Sequence, residues 1–75
     1  MKEISPGITA DPKVRFGKPV IKNTRVPVDL VLGQLASGMT FEDVCREYEI
    51  KREDILAVLT YAARMAEKEQ VRAVA

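Results

Sequence analysis

Histidine is missing from this chain and cysteine occurs once. One cysteine excludes an internal disulfide and fits a reducing compartment. With no histidine, a single thiol among carboxylates is a poor set of ligands for a transition metal, so no metal and no cofactor are expected. Long apolar runs are also absent: none approaches the ~20 residues of a membrane span, and the N-terminus has no apolar stretch of the secretory kind. The expected location is the cytoplasm, with no membrane association. Proline is missing from everything beyond residue 28, since all four prolines lie before it. The later part of the chain is therefore free to be helical.

What is present is small. Seventy-five residues allow one domain. A lone domain of this size buries only about 60% of its unfolded surface and is marginal without a staple. Disulfide and metal being excluded, oligomerisation or a stable complex is the remaining staple. The formal net charge of +1 hides an asymmetry. Residues 1–30 carry six Lys/Arg against three acids, and residues 31–75 carry six against eight. Between Pro12 and Val28 stand Lys13, Arg15, Lys18, Lys22 and Arg25 with no acid among them. Such a block can steer an anionic partner, nucleic acid first among candidates; its plain alternative is a solvated surface.

Residues 1–28 are densely punctuated, by Pro6-Gly7, Asp11-Pro12, Gly17-Lys18-Pro19, Asn23-Thr24 and Pro27. Between the marks lie short β-branched segments, Ile8-Thr9, Val20-Ile21 and Val26 to Val28, which predict two or three short strands. Asn23 tolerates positive φ, so Lys22-Asn23-Thr24 is a tight turn joining the last two. Pro19 and Pro27 lack an amide donor and confine these strands to sheet edges. This region reads as a basic β arm, packed on the rest or swapped across a dimer.

Residues 29–75 read as a three-helix domain. The first helix runs from about Asp29 to Ser37, with Leu30, Val31, Leu35 and Gln34 inward or sideways, and Gly38 stops it. Thr40 caps the second, and Asp43 stands where a capping-box acid would reach back. Its apolar positions, Phe41, Val44, Cys45 and Tyr48, are three and four apart. The third starts near Arg52, carries Glu53 and Asp54 where the helix dipole favours acids, and runs to about Glu69. The tail to Ala75, with Val71 and Val74 in weak helical period, is expected to fray.

Residues 41–60, FEDVCREYEIKREDILAVLT, match the spacing of a helix-turn-helix unit. Val44 and Tyr48 are its apolar fourth and eighth positions, and Cys45 its small fifth. Ile50, Ile55 and Val58 seat the second helix. Glu49 departs from the pattern, because that position is usually glycine. The packing does not by itself mean DNA binding. On the third helix Lys51 and Arg52 can hold phosphates, but Glu53, Asp54, Leu56 and Ala57 cannot read bases well. Ile55, Val58, Ala62 and Met65 face the core on this reading, which leaves Leu56, Leu59, Ala63 and Ala66 as a second apolar stripe. Either both stripes pack inside one small core, or the outer one is an oligomer or partner interface.

No catalytic residue emerges. Cys45 lies on an apolar face and has no histidine to activate it. The pairs Glu42-Asp43 and Glu53-Asp54 sit in first helical turns, where capping explains them. Gly17-Lys18-Pro19 lacks the rest of a phosphate-loop pattern. A non-enzyme is expected.

The string DPKVRFGKPVIKNTRVPV, Asp11 to Val28, resembles domain-of-unknown-function family 433. That family carries an Asp-Pro, a Gly-Lys/Arg-Pro-x-Ile, a Gly-Thr-Arg-Ile/Val-Pro-Val and a later Ala-Leu-x-Tyr-Ala stretch. Here these are Asp11-Pro12, Gly17-Lys18-Pro19-Val20-Ile21, Thr24-Arg25-Val26-Pro27-Val28 and Leu59-Thr60-Tyr61-Ala62. Asn23 replaces the family's glycine, a change a positive-φ turn tolerates. The resemblance implies a mainly α, trihelical, homeodomain-like core behind a short β-hairpin arm, often dimeric. It also implies an antitoxin-like protein that silences a PIN-like ribonuclease toxin. The expected function is thus an antitoxin-type binding protein, homodimeric, with the toxin as partner and operator DNA as a further candidate. The alternatives are a stand-alone DNA-binding repressor and a dimeric scaffold with no nucleic-acid role.

Overall fold

Pro6 and Gly7 turn the chain back on itself at the start, with Gly7 at φ +80°. A Cβ at Gly7 would lie 3.1 Å from the Ala57 Cβ, so glycine serves both the turn and the close approach of a helix. The computed structural model describes residues 2–69. The turn joins β1 (Lys2–Ser5) to β2 (Ile8–Ala10), and β3 (Val20–Ile21) follows a loop. The strands form one antiparallel sheet in the order β1-β2-β3, with Glu3 opposite Thr9, Ile8 opposite Ile21 and an irregularity between Glu3 and Ser5. Val20 also bridges Pro27, so the Val26–Val28 segment adds one isolated pairing rather than a full strand.

The tight turn predicted at residues 22–24 is present, with Asn23 at φ +64°. Thr24 fixes it: its hydroxyl donates to the Ile21 carbonyl at 2.7 Å and accepts from the Val26 N–H at 3.0 Å. Strand β1 is an addition to the predicted set. With Ile4 its only large apolar residue, and that residue 40% exposed, it carries no strand signal of its own.

Three helices follow: α1 (Val28–Ala36), α2 (Phe41–Tyr48) and α3 (Arg52–Lys68). Together with the sheet they make a small α+β fold. Thr40 caps α2, accepting the Asp43 N–H at 3.1 Å. The Asp43 carboxylate pairs with Arg46 one turn along instead of reaching back. The reach-back occurs at α3, where Asp54 accepts the Lys51 N–H at 2.9 Å. Residues 70–75, and the fraying expected of them, lie outside the described residues.

The core joins sheet and helices: Ile8 and Ile21 pack in one cluster with Val28, Val31, Val44, Ile50, Ile55 and Val58. The positions read as helix-turn-helix contacts are buried or packed against that cluster, Tyr48 with its hydroxyl accepting from Gln34 Nε2 at 2.9 Å. Leu30, expected inward or sideways, is instead exposed on α1, and Leu32 takes its place against the core. Val28, Val31, Leu32 and Leu35 stand at i, i+3, i+4 and i+7 and so share the inward face, which Leu30 falls outside.

Glu49, where glycine is usual, adopts φ 54° and ψ 45° and closes α2 with its N–H on the Cys45 carbonyl. The left-handed geometry is kept, at the cost a Cβ imposes there. Glu49→Gly should therefore raise the unfolding free energy by about 1 kcal/mol, seen as a higher urea midpoint with an unchanged m-value.

Candidate functional site

The segment from Asp11 to Gly17 is wound tightly. The Asp11 carbonyl accepts from Val14 N–H at 2.9 Å and Gly17 N–H at 3.1 Å, and the Lys13 N–H donates to the Asp11 carboxylate at 2.9 Å. At its tip Arg15 (φ 52°), Phe16 (φ 56°) and Gly17 (φ 82°) are all left-handed. Arg15 Nε donates to the Arg25 carbonyl at 3.4 Å, tying the tip to the Lys22–Val26 turn. A concavity of about 370 Å³ lies between them, lined by Thr9, Val14, Asn23, Thr24 and Arg25 among others.

The five cations of the arm separate into two groups. Lys18 bonds Asp29 at the start of α1 at 3.1 Å, and Lys22 stands 3.6 Å from Glu3 on β1. Both are solvated ion pairs. Lys22 thus corrects the picture of a wholly unopposed basic block, because β1 folds an acid back across the sheet. Lys13 and Arg25 are exposed and have no carboxylate partner among the described residues, and Arg15 is held only by the Arg25 carbonyl. The open positive charge is therefore concentrated at the left-handed tip and the neighbouring turn.

Two carboxyl groups ionise more readily than usual as a result. Glu3 falls below its ordinary 4.5 because the Gly7 N–H donates to it, with the Lys22 charge adding to that. Asp29 falls below its ordinary 3.8 because the Lys18 ammonium bonds it. A depressed carboxyl stabilises the fold above its unfolded value, and that contribution disappears as pH falls through the folded one. Acidification from about pH 5 to about pH 3 should lower the melting temperature, and Asp29→Asn should shrink that drop. Equal drops in variant and wild type would show that this pair plays no part.

On α3 the predicted phosphate contacts are partly occupied. The Arg52 guanidinium lies 4.9 Å from the Phe41 ring centroid, and Lys51 Nζ is 4.0 Å from Glu53. The outer stripe is open: Leu56 is 48% and Leu59 37% exposed, and Ala63 and Ala66 are exposed beside them. The other side of the same helix is covered by the sheet, where Arg64 Nη1 reaches Ser5 Oγ at 3.3 Å.

Phe16 is the residue that sequence reasoning passed over. Its side chain is 100% exposed. The available signal was a lone aromatic between Arg15 and Gly17, in a segment without period.

Among the described residues no helix is long and apolar enough to cross a membrane, and no group of three His, Cys, Asp or Glu is placed to hold a metal. No curated protein matches the chain. Among solved structures, the X-ray crystal structure of Rv2018 from Mycobacterium tuberculosis is similar, at 33% identity and a TM-score of 0.64. That match covers 69% of this chain and 24% of the other, so the present chain spans about a quarter of that protein's length. The profile of one family, described as "Protein of unknown function (DUF433)", matches residues 8–62, which hold the tight left-handed tip, the Thr24 turn and most of the three helices. The chain belongs to that family.

Proposed function

We propose that this chain is a non-catalytic binding protein of the antitoxin type, a cytoplasmic homodimer that docks its basic tip on a PIN-like ribonuclease and silences it. The observation that carries the reading is the open positive charge of Lys13, Arg15 and Arg25 at one edge of the molecule, without carboxylate partners among the described residues. The nuclease enters through the family resemblance, which implies an active site made of carboxylates around divalent metal. Arginine suits such a surface, since its planar fork meets carboxylates in paired hydrogen bonds. A guanidinium seated there competes with the RNA and the metal for the same charge.

The exposed stripe of Leu56, Leu59, Ala63 and Ala66 supports the dimer. An antiparallel, two-fold pairing of α3 helices sets each leucine against an alanine of the other copy and lets the helices approach closely. It also brings the Arg52 end of one helix beside the Glu67 end of the other.

The second reading is a DNA-binding repressor on a homeodomain-like trihelical core, supported by the buried helix-turn-helix positions. There Lys51 and Arg52 would anchor α3. Both already have partners on the protein, and Glu53 and Asp54 follow them. Co-expression with the product of the neighbouring gene separates the readings. A stable complex supports the first, and salt-sensitive retention of the lone protein on DNA supports the second.

A further inference from the structure

A single exposed apolar side chain is ordinary on a protein surface. Phe16 is not ordinary in its setting. None of its side chain is covered, so it adds nothing to the core. It also stands on a backbone where it and Arg15 are both left-handed, with φ 56° and 52°. Side chains with a Cβ rarely adopt that region, and two in succession are rarer still. Such strain persists where surrounding bonds over-determine it, and it concentrates at binding sites. Here the bonds are present. Gly17 N–H is shared by the Asp11 and Val14 carbonyls at 3.1 Å each, and Lys18 N–H reaches the Arg15 carbonyl at 3.1 Å. Arg15 Nε braces the tip against the Arg25 carbonyl. The ring is thus presented to solvent on a fixed support.

Its neighbours define what it meets. Arg15 adjoins it in sequence, Lys13 shares the loop, and Arg25 stands on the turn to which the tip is tied. The concavity of about 370 Å³ between tip and turn carries Thr9, Asn23 and Thr24 as well as Arg25 in its lining, together with Asp11, whose carboxylate accepts the Lys13 N–H at 2.9 Å. Cations call for an anion, and a bare aromatic face calls for another flat apolar face within a side chain's reach of it. Nucleic acid supplies both, phosphate and base, in regular alternation.

We propose that Phe16 is a stacking residue for a nucleobase, with Lys13, Arg15 and Arg25 holding the flanking phosphates. The base is either unpaired in a single strand or partly unstacked in a duplex, where Phe side chains act as wedges between base steps. This inference does not need the nuclease reading, but it draws on the same three cations, so nucleic acid and nuclease would compete for the tip. It assigns the arm a contact that is not electrostatic, and that separates it from a merely basic surface.

The test uses the full chain with fluorescein-labelled single-stranded and duplex oligonucleotides, and heparin as a polyanion without bases. Phe16→Ala keeps the Cβ, and with it the left-handed backbone geometry, and removes no buried surface, so its far-ultraviolet circular dichroism should match wild type. It should bind oligonucleotide roughly 5- to 100-fold more weakly. The dependence of affinity on salt should be unchanged, because no phosphate contact is lost. Heparin binding should be unaffected. Phe16→Trp should keep the affinity and place the one tryptophan in a chain that has none. Its emission should be quenched on saturation with oligonucleotide. Loss confined to the single strand identifies an unpaired base, and loss on the duplex identifies a wedge; both support stacking. Equal affinity of Phe16→Ala and wild type overturns the proposal, as does a parallel loss of heparin binding. So does unchanged tryptophan emission at saturation, or the absence of oligonucleotide binding at low salt. With no oligonucleotide bound at all, the exposed ring would belong to a protein contact.

Discussion

A chain carrying Leu59→Asp should sediment as a monomer at micromolar concentration, where the wild-type protein is expected to sediment as a dimer. Leu59 is 37% exposed on the single chain and Leu56 48%, and with Ala63 and Ala66 they line about 15 Å of helix at 1.5 Å rise per residue. Covering that stripe with a second copy removes two leucines per chain from water. A carboxylate at position 59 would be buried there without a partner, at a cost of about 3 kcal/mol or more, and symmetry imposes it twice. The dimer constant should weaken by at least roughly two orders of magnitude. Leu59→Ala is the gentler companion. It removes packing without adding charge and should weaken the dimer by less. Circular dichroism separates dissociation from unfolding, because neither residue belongs to the buried core cluster. A wild-type monomer by sedimentation would remove the dimer from the account.

The second large effect belongs to Arg25. Its side chain has no carboxylate partner within the described residues, so all of its charge is available to an acidic partner. Truncating one member of a desolvated charge pair costs about 2–5 kcal/mol, and Arg25→Ala should weaken the proposed complex with a nuclease roughly 30-fold or more, mainly through faster dissociation. Lys18→Ala should cost much less, since that ammonium is already shared with Asp29 at 3.1 Å. The contrast is the diagnostic, because both residues carry the same charge and lie in the same basic block. Equal losses would mean that the partner reads net charge alone. If DNA is the partner, each lost phosphate contact should instead flatten the slope of log affinity against log salt by about one unit.

The helical half of this fold was legible because its signals are local. Val44, Cys45, Ile55 and Val58 repeat at helical spacing, Thr40 is a cap, and Gly38, at φ 100°, is the stop. Asn23 announced its turn because few side chains tolerate that geometry. What escaped was non-local or had no side-chain signature. Strand β1 exists because Ser5 and Ile8 pair across the Pro6-Gly7 turn and Arg64 reaches Ser5 from α3, and residues 2–5 alone encode neither contact. With β1 unread, Lys22 was counted as unopposed, although Glu3 lies 3.6 Å from it. Leu30 and Leu32 differ in face because Leu32 falls in step with Val28, Val31 and Leu35 at helical spacing and Leu30 does not. The left-handed Arg15 and Phe16 are unreadable from residue type, since neither residue prefers that region. That is why the most exposed aromatic in the described chain had no place in the candidate site.

Whether the open cations of the arm hold an acidic protein partner is read from a co-expression experiment. The chain and the product of the neighbouring gene would be co-expressed, passed through size exclusion, and assayed for RNA cleavage. One complex with cleavage suppressed is expected, and free, active nuclease when Arg25→Ala replaces the wild-type chain. A nuclease that elutes alone and cleaves at its full rate in the presence of the wild-type chain would contradict it.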